Sequence, residues 1–146
     1  GKSVAAESGT TEAQYLAGTD AYDGKGLTQE CQKDGKPAPT VVVTQKDTDA
    51  LQQLQSSKVA AYATDSPVAA YYTVQHPDQF ELVGQVVEPV EEGISVPCGQ
   101  NDCTNAPLTP VGQGIKAALD SMMKDGTYLQ ILKKWNMESG AVPSQP

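Results

Sequence analysis

Over its first 87 positions the chain alternates short apolar runs with stretches whose apolar residues recur at helical spacing. Residues 2–7 read as a strand, which breaks into Ser8-Gly9-Thr10-Thr11 and then a helix-compatible stretch through Glu12, Ala13, Gln14, Tyr15 and Leu16. Residues 18–39 are polar and carry Gly or Pro at positions 18, 24, 26, 35, 37 and 39, the composition of a long loop or a broken short helix. The run Thr40-Val41-Val42-Val43-Thr44 is β-branched throughout and predicts a buried parallel strand. Asp47 is placed to cap a helix on which Ala50, Leu51 and Leu54 share a face, ended by Ser56-Ser57. Residues 58–63 predict the next strand, and Pro67 suits the first position of a helix whose Val68, Tyr71 and Tyr72 face inward. That helix should stop at His76-Pro77, because the residue before a proline avoids helical geometry. Residues 80–87 then alternate as a strand does.

The order strand, helix, strand, helix, strand, helix, strand predicts an α/β lobe. Its sheet is mostly parallel and covered on both faces, because helical crossovers return each strand in the same direction. The rest of the chain has another character. Residues 88–92 read as an acidic connector, residues 93–97 as a short strand, and Val111, Ile115, Ala118, Leu119 and Met122 fall on one helical face. Asp125-Gly126 predicts a turn into a last helix carrying Tyr128, Ile131, Leu132 and Trp135, and residues 140–146 a disordered tail.

Charge narrows the function classes. A net charge of −8 and a pI near 4.4 argue against nucleic acid, whose phosphates would be repelled. No apolar run approaches the roughly 20 residues of a spanning helix. Lysine supplies every fixed positive charge, so the chain lacks the bidentate guanidinium used to clamp carboxylates. Of three cysteines, Cys98 and Cys103 bracket a short polar loop and can form a local disulfide, which would place the protein in an oxidising compartment; three reduced thiols are the alternative. A zinc site needs about four ligands and the lone His76 is distant from the cysteines, so no metal or other cofactor is implied. His76 reads as a solvated turn residue, and Cys31 has no histidine near it in sequence to activate it.

Two features at predicted strand ends carry chemistry. Ser8-Gly9-Thr10-Thr11 is either an ordinary helix cap or an anion cradle, since a helix start presents unpaired N–H donors beside neutral hydroxyls. Asp65 follows the third strand and is suited to an ammonium group, or to capping the next helix. Sheets of this kind bind ligands beyond the carboxyl ends of their strands, so together the two features predict a site for an amino-acid zwitterion.

These stretches, in this order, resemble the amino-acid-type solute-binding proteins of ABC importers. The pieces that carry the likeness are Gly1-Lys2-Ser3-Val4 running into Ser8-Gly9-Thr10-Thr11, Asp49-Ala50-Leu51 through Lys58-Val59-Ala60-Ala61, and Asp65-Ser66-Pro67-Val68 through Tyr71-Tyr72. Gly93-Ile94-Ser95-Val96-Pro97 and the ending Leu119-Asp120-Ser121-Met122 through Asp125-Gly126-Thr127-Tyr128, closed by Lys133-Lys134-Trp135, complete it.

The resemblance implies a lobe of a type II periplasmic-binding-protein fold. Residues 1–91 would be the second, ligand-binding lobe, and 92–146 the strand and two helices that return to an incomplete first lobe. The opening half of that first lobe, which would precede Gly1 and supply a carboxylate-gripping arginine, is expected to be absent. Gly9, Thr10 and Thr11 are implied to bind the ligand carboxylate, Asp65 its ammonium, and Glu7, Ser8 and Thr64 to lie close by. A polar amino acid as ligand, an ABC permease as partner, and an extracytoplasmic, lipid-anchored parent follow from the same likeness. So does self-association through the incomplete lobe. A binding protein rather than an enzyme is expected, with a cyclohexadienyl-dehydratase-like enzyme or a receptor sensing domain as the alternatives on this scaffold.

Overall fold

A computed structural model describes residues 1–19, 24–87, 89–99, 104 and 106–143. The chain is mixed α/β, with a small parallel sheet and six α-helices among the described residues, and it separates into two compact units, Gly1–Leu82 and Val83–Pro146.

The first unit is built around β1 (Ser3–Glu7). β2 (Thr40–Thr44) and β3 (Ala61–Tyr62) flank it, both parallel, giving the order β2-β1-β3. β2 pairs along its whole length, from Ser3 opposite Thr40 to Glu7 opposite Thr44. The third strand is shorter than residues 58–63 predicted, although ladder-type bonds reach beyond it: Ala60 N–H donates to Ser3 O at 2.8 Å and Ala63 N–H to Ala5 O at 2.9 Å.

The side-chain alternation of a strand sends successive residues of β1 to opposite faces. Ala5 meets Ala50 of α3 (Asp47–Gln55) and Val59 on one face. Ala6 meets Ala13 and Leu16 of α1 (Thr11–Ala17) on the other. The core is therefore thin and alanine-rich, and among the described residues no large side chain is fully buried. Small residues let both helices approach the sheet closely.

Residues 18–39, expected as loop or broken helix, contain a short helix, α2 (Leu27–Lys33). Tertiary contacts hold it: Thr28 Oγ1 donates to Leu16 O at 2.8 Å, Gln29 Nε2 to Gly18 O at 3.0 Å, and Leu27 packs on the α1 cluster. Gly26 has to be glycine because its backbone lies against α1's end. A Cβ there would fall 2.2 Å from Tyr15 O and 2.6 Å from Gly18 Cα.

α4 (Ser66–Gln75) starts with Pro67 in its first turn and ends at His76, as the sequence predicts. Of its expected inward face Val68 and Tyr72 are half-buried, but Tyr71 is 45% exposed and stacks edge-on against Tyr72 with centroids 5.3 Å apart, and Ala70 is the buried residue. The alternating residues 80–87 do not form the expected strand among the described residues, and Glu88 lies outside them. A strand exists only through a hydrogen-bonding neighbour, and alternation alone supplies none.

In the second unit the predicted helices form as α5 (Pro110–Asp125) and α6 (Thr127–Lys134). Thr109 caps the first by accepting from Gly112 N–H at 3.3 Å, and the Thr127 N–H donates to Asp125 Oδ1 at 2.9 Å across the intervening turn. Residues 93–97 form no strand, for the same want of a pairing neighbour among the described residues. The final stretch turns once through Glu138–Gly140 and is tied back by Val142 N–H to Tyr128 Oη at 3.1 Å. The proposed Cys98–Cys103 pairing involves Cys103, which lies outside the described residues. Among the described residues no helix is long and apolar enough to cross a membrane.

Candidate functional site

Three parallel strands deliver their carboxyl ends to one edge, so whatever follows Glu7, Thr44 and Tyr62 gathers there. At that edge lies a cavity of about 200 Å³. Of the residues expected from sequence, Glu7, Thr10, Thr64 and Asp65 line it. Ser8, Gly9 and Thr11 are exposed on the adjoining turn and do not line it. Glu12, Asp47, Ala63 and Val68 complete the wall.

The turn after β1 shows why its residue types are needed. Ser8 N–H continues the ladder by donating to Thr44 O at 2.8 Å. Gly9 then takes φ +81, where a side chain is strained, and a Cβ built there would meet nothing within 4 Å. Thr10 is the N-cap of α1: its hydroxyl donates to Glu7 O at 2.9 Å and accepts from Ala13 N–H at 3.3 Å. Thr11 Oγ1 donates to Glu12 Oε2 at 3.4 Å. The hydroxyls are thus engaged locally. The N–H groups of Thr11 and Glu12 belong to the first helical turn and have no intrahelical acceptor.

Asp65 is exposed at the N-cap position of α4 and makes no side-chain cap bond to that helix. Asp47 takes a different part from the one its sequence position predicts. The N-cap of α3 is Lys46, so Asp47 is free of capping and sits in the first turn. There its Oδ1 accepts the hydroxyls of both Tyr62 and Thr64, the latter at 2.9 Å. Burial, and then the bond to Asp47, push the Tyr62 pKa well above the ordinary tyrosine value, so this hydroxyl stays protonated and donating.

Asp47 and Glu12 are the lining residues that sequence reading did not place here. A signal existed for Asp47, since it follows β2 at the same edge at which Ser8 follows β1 and Asp65 follows β3. Among the described residues the cavity is lined by four carboxylates, Glu7, Glu12, Asp47 and Asp65, and by no lysine. Acceptor-only oxygens in a concave wall can hold a ligand that brings N–H donors and positive charge. Among the described residues no group of three or more His, Cys, Asp or Glu is arranged to hold a metal ion. His76 sits at the far end of α4 with its ring edge-on to Phe80 at 6.1 Å, and Cys31 is a half-buried free thiol on α2.

The chain is similar to the Arginine-binding protein ArgT of Corynebacterium glutamicum, with 26% identity over 131 residues. The match takes in 90% of this chain and 40% of that relative, so the chain spans well under half the relative's length. No family model matches the chain, and no solved structure matches it.

Proposed function

We propose that the chain is the ligand-binding lobe of an extracytoplasmic solute-binding protein that takes up a polar amino acid for an ABC importer. Residues 1–91 are the lobe, and residues 92–146 belong to the segment that returns to the first lobe. The ligand α-carboxylate lies over the Ser8-Gly9-Thr10-Thr11 turn, held by backbone N–H groups of the helix start, and the Asp65 carboxylate receives the α-ammonium. Glu7 and Thr64 stand beside the ligand in the same wall. Opposite charges separated in this way select a zwitterion over a simple anion or cation, because charge-assisted bonds form at both ends.

One observation carries this reading. The chain resembles an arginine-binding protein along 131 residues, and Asp65 and Thr10 of the turn after β1 line one cavity at the strand ends. The likeness extends to a binding protein and gives no support to an enzyme on the scaffold.

The test is a calorimetric and thermal-shift panel of the twenty amino acids. It is run on the chain together with whatever flanks it in its gene, with wild type beside Asp65→Asn. One amino acid or a small group should raise the melting temperature. Asp65→Asn should weaken that binding by about 2–3 kcal/mol, roughly a hundredfold in Kd, since the ligand ammonium loses its charged partner. Binding that survives Asp65→Asn undiminished sinks the role given to Asp65, and a wild type that binds no amino acid sinks the function itself.

A further inference from the structure

Asp47 is held by two neutral hydroxyls at a single oxygen. Tyr62 from β3 and Thr64 just beyond it bring two hydroxyl donors to one oxygen, Oδ1. Among the described residues no donor reaches Oδ2. Two converging bonds fix the plane of the carboxylate, so a ligand that meets the second oxygen does not have to order the side chain first. Both donors are neutral, so neither brings a positive charge to the Asp47 carboxylate, which lines the cavity. The high pKa of Tyr62 keeps its donor in place at any physiological pH.

Resting on the amino-acid-binding reading above, we propose that Asp47 selects ligands whose side chain ends in a cation, and that Tyr62 and Thr64 are its positioning residues. With the α-ammonium at Asp65 and the α-carboxylate at the turn after β1, the remaining acceptor wall of the cavity is Asp47 with Glu7 and Glu12. A guanidinium or ammonium group brings both N–H donors and positive charge to this wall. A neutral side chain of the same shape brings at most the donors and leaves the charge uncompensated.

The test compares L-arginine with L-citrulline, its neutral isostere, by titration calorimetry. The proteins are wild type, Asp47→Asn, Tyr62→Phe and Thr64→Val, each with the same flanking sequence. Wild type should prefer L-arginine. Asp47→Asn should lower L-arginine affinity by roughly tenfold to a hundredfold and leave L-citrulline within about twofold. Tyr62→Phe and Thr64→Val should move the arginine-to-citrulline ratio the same way by a smaller factor, which a merely structural role would not do. If wild type binds amino acids without preferring L-arginine, or if the folded variants keep the wild-type ratio, Asp47 is not the selector and the amino-acid reading stands. If wild type binds no amino acid, that reading falls and takes this one with it. Should Asp47→Asn fail to fold, the ratios of Tyr62→Phe and Thr64→Val decide.

Discussion

The two units treat their apolar residues in opposite ways. In Gly1–Leu82 the sheet is sandwiched, with Ala5 and Ala50 on one face and Ala6, Ala13 and Leu16 on the other. Among the described residues of Val83–Pro146 no apolar side chain is buried: Val90, Ile94, Val111 and Ile131 are exposed, and Ile115, Leu119, Leu132 and Trp135 only half-buried. Both stretches have well-formed helices with proper caps at their starts, so local propensity does not account for the difference. What separates them is a sheet. A parallel sheet offers two faces on which amphipathic helices can bury their stripes, whereas α5 and α6 have chiefly each other. The candidate site lies entirely in the unit that has the sheet, because strand ends are what bring residues from positions 7, 47 and 65 to one cavity.

Leu16→Ala gives the largest expected effect on this contrast. The side chain is only 3% exposed, in the α1 cluster, and its deletion leaves a cavity in a thin core. A loss of about 2–4 kcal/mol in urea unfolding followed by circular dichroism is expected. Gly26→Ala comes next. Its Cβ would collide with backbone atoms of Tyr15 and Gly18, which have no flexible end to swing away, so α2 must lift from α1. The cost should be about 2–3 kcal/mol, read in the same unfolding experiment. A near-neutral result at either position would show that the sandwich of the first unit holds together less tightly than its burial implies.

These positions also show how far the sequence could be read. β2 falls on the β-branched run itself, α4 begins with Pro67 in its first turn and ends at His76, and α5 gives way to α6 at Asp125-Gly126. Those are short-range signals, written within a few residues. For α2 the glycines and prolines left a loop and a broken short helix both open, and what decides for the helix is distant: Thr28 and Gln29 are held by residues of α1 and its cap, 11 or 12 positions earlier. Residues 80–87 and 93–97 carry a strand's alternation without a pairing neighbour among the described residues. Of the residues lining the cavity, Thr10 and Asp65 were singled out by the rule that ligands meet strand ends, whereas Glu7 and Thr64 came from the family resemblance. Asp47 was read as a cap, because its true partners, Tyr62 and Thr64, are 15 and 17 residues away.

Tyr62→Phe tests the first unit more gently and has a pH signature. Near neutrality it removes one hydroxyl donor from Asp47, a loss of about 1 kcal/mol. The folded pKa of Tyr62 is raised, so its stabilisation is complete below the ordinary tyrosine value of about 10 and is lost as pH climbs towards the folded value. The gap between wild type and Tyr62→Phe in chemical denaturation should therefore stay constant from about pH 7 to pH 9 and narrow above about pH 10. A gap that widens with rising pH would mean that the hydroxyl is not held protonated by the fold.

The smallest expected effect is Ile131→Ala in α6, and it presses hardest on the contrast between the units. Ile131 is 45% exposed, so truncation removes a side chain that folding has only partly taken from water. Transfer free energy scales with the area actually buried, and an open site leaves no cavity behind. The change should be under about 0.5 kcal/mol, against several times that at Leu16, although both substitutions delete an aliphatic side chain of the same size. If Ile131→Ala costs as much as Leu16→Ala, the apolar face of α6 is covered in solution, and the second unit is no less a buried structure than the first. Repeating the measurement over a range of protein concentrations then separates the sources of that cover. A cost that grows with concentration means that another copy supplies it, and a constant cost means that the same chain does.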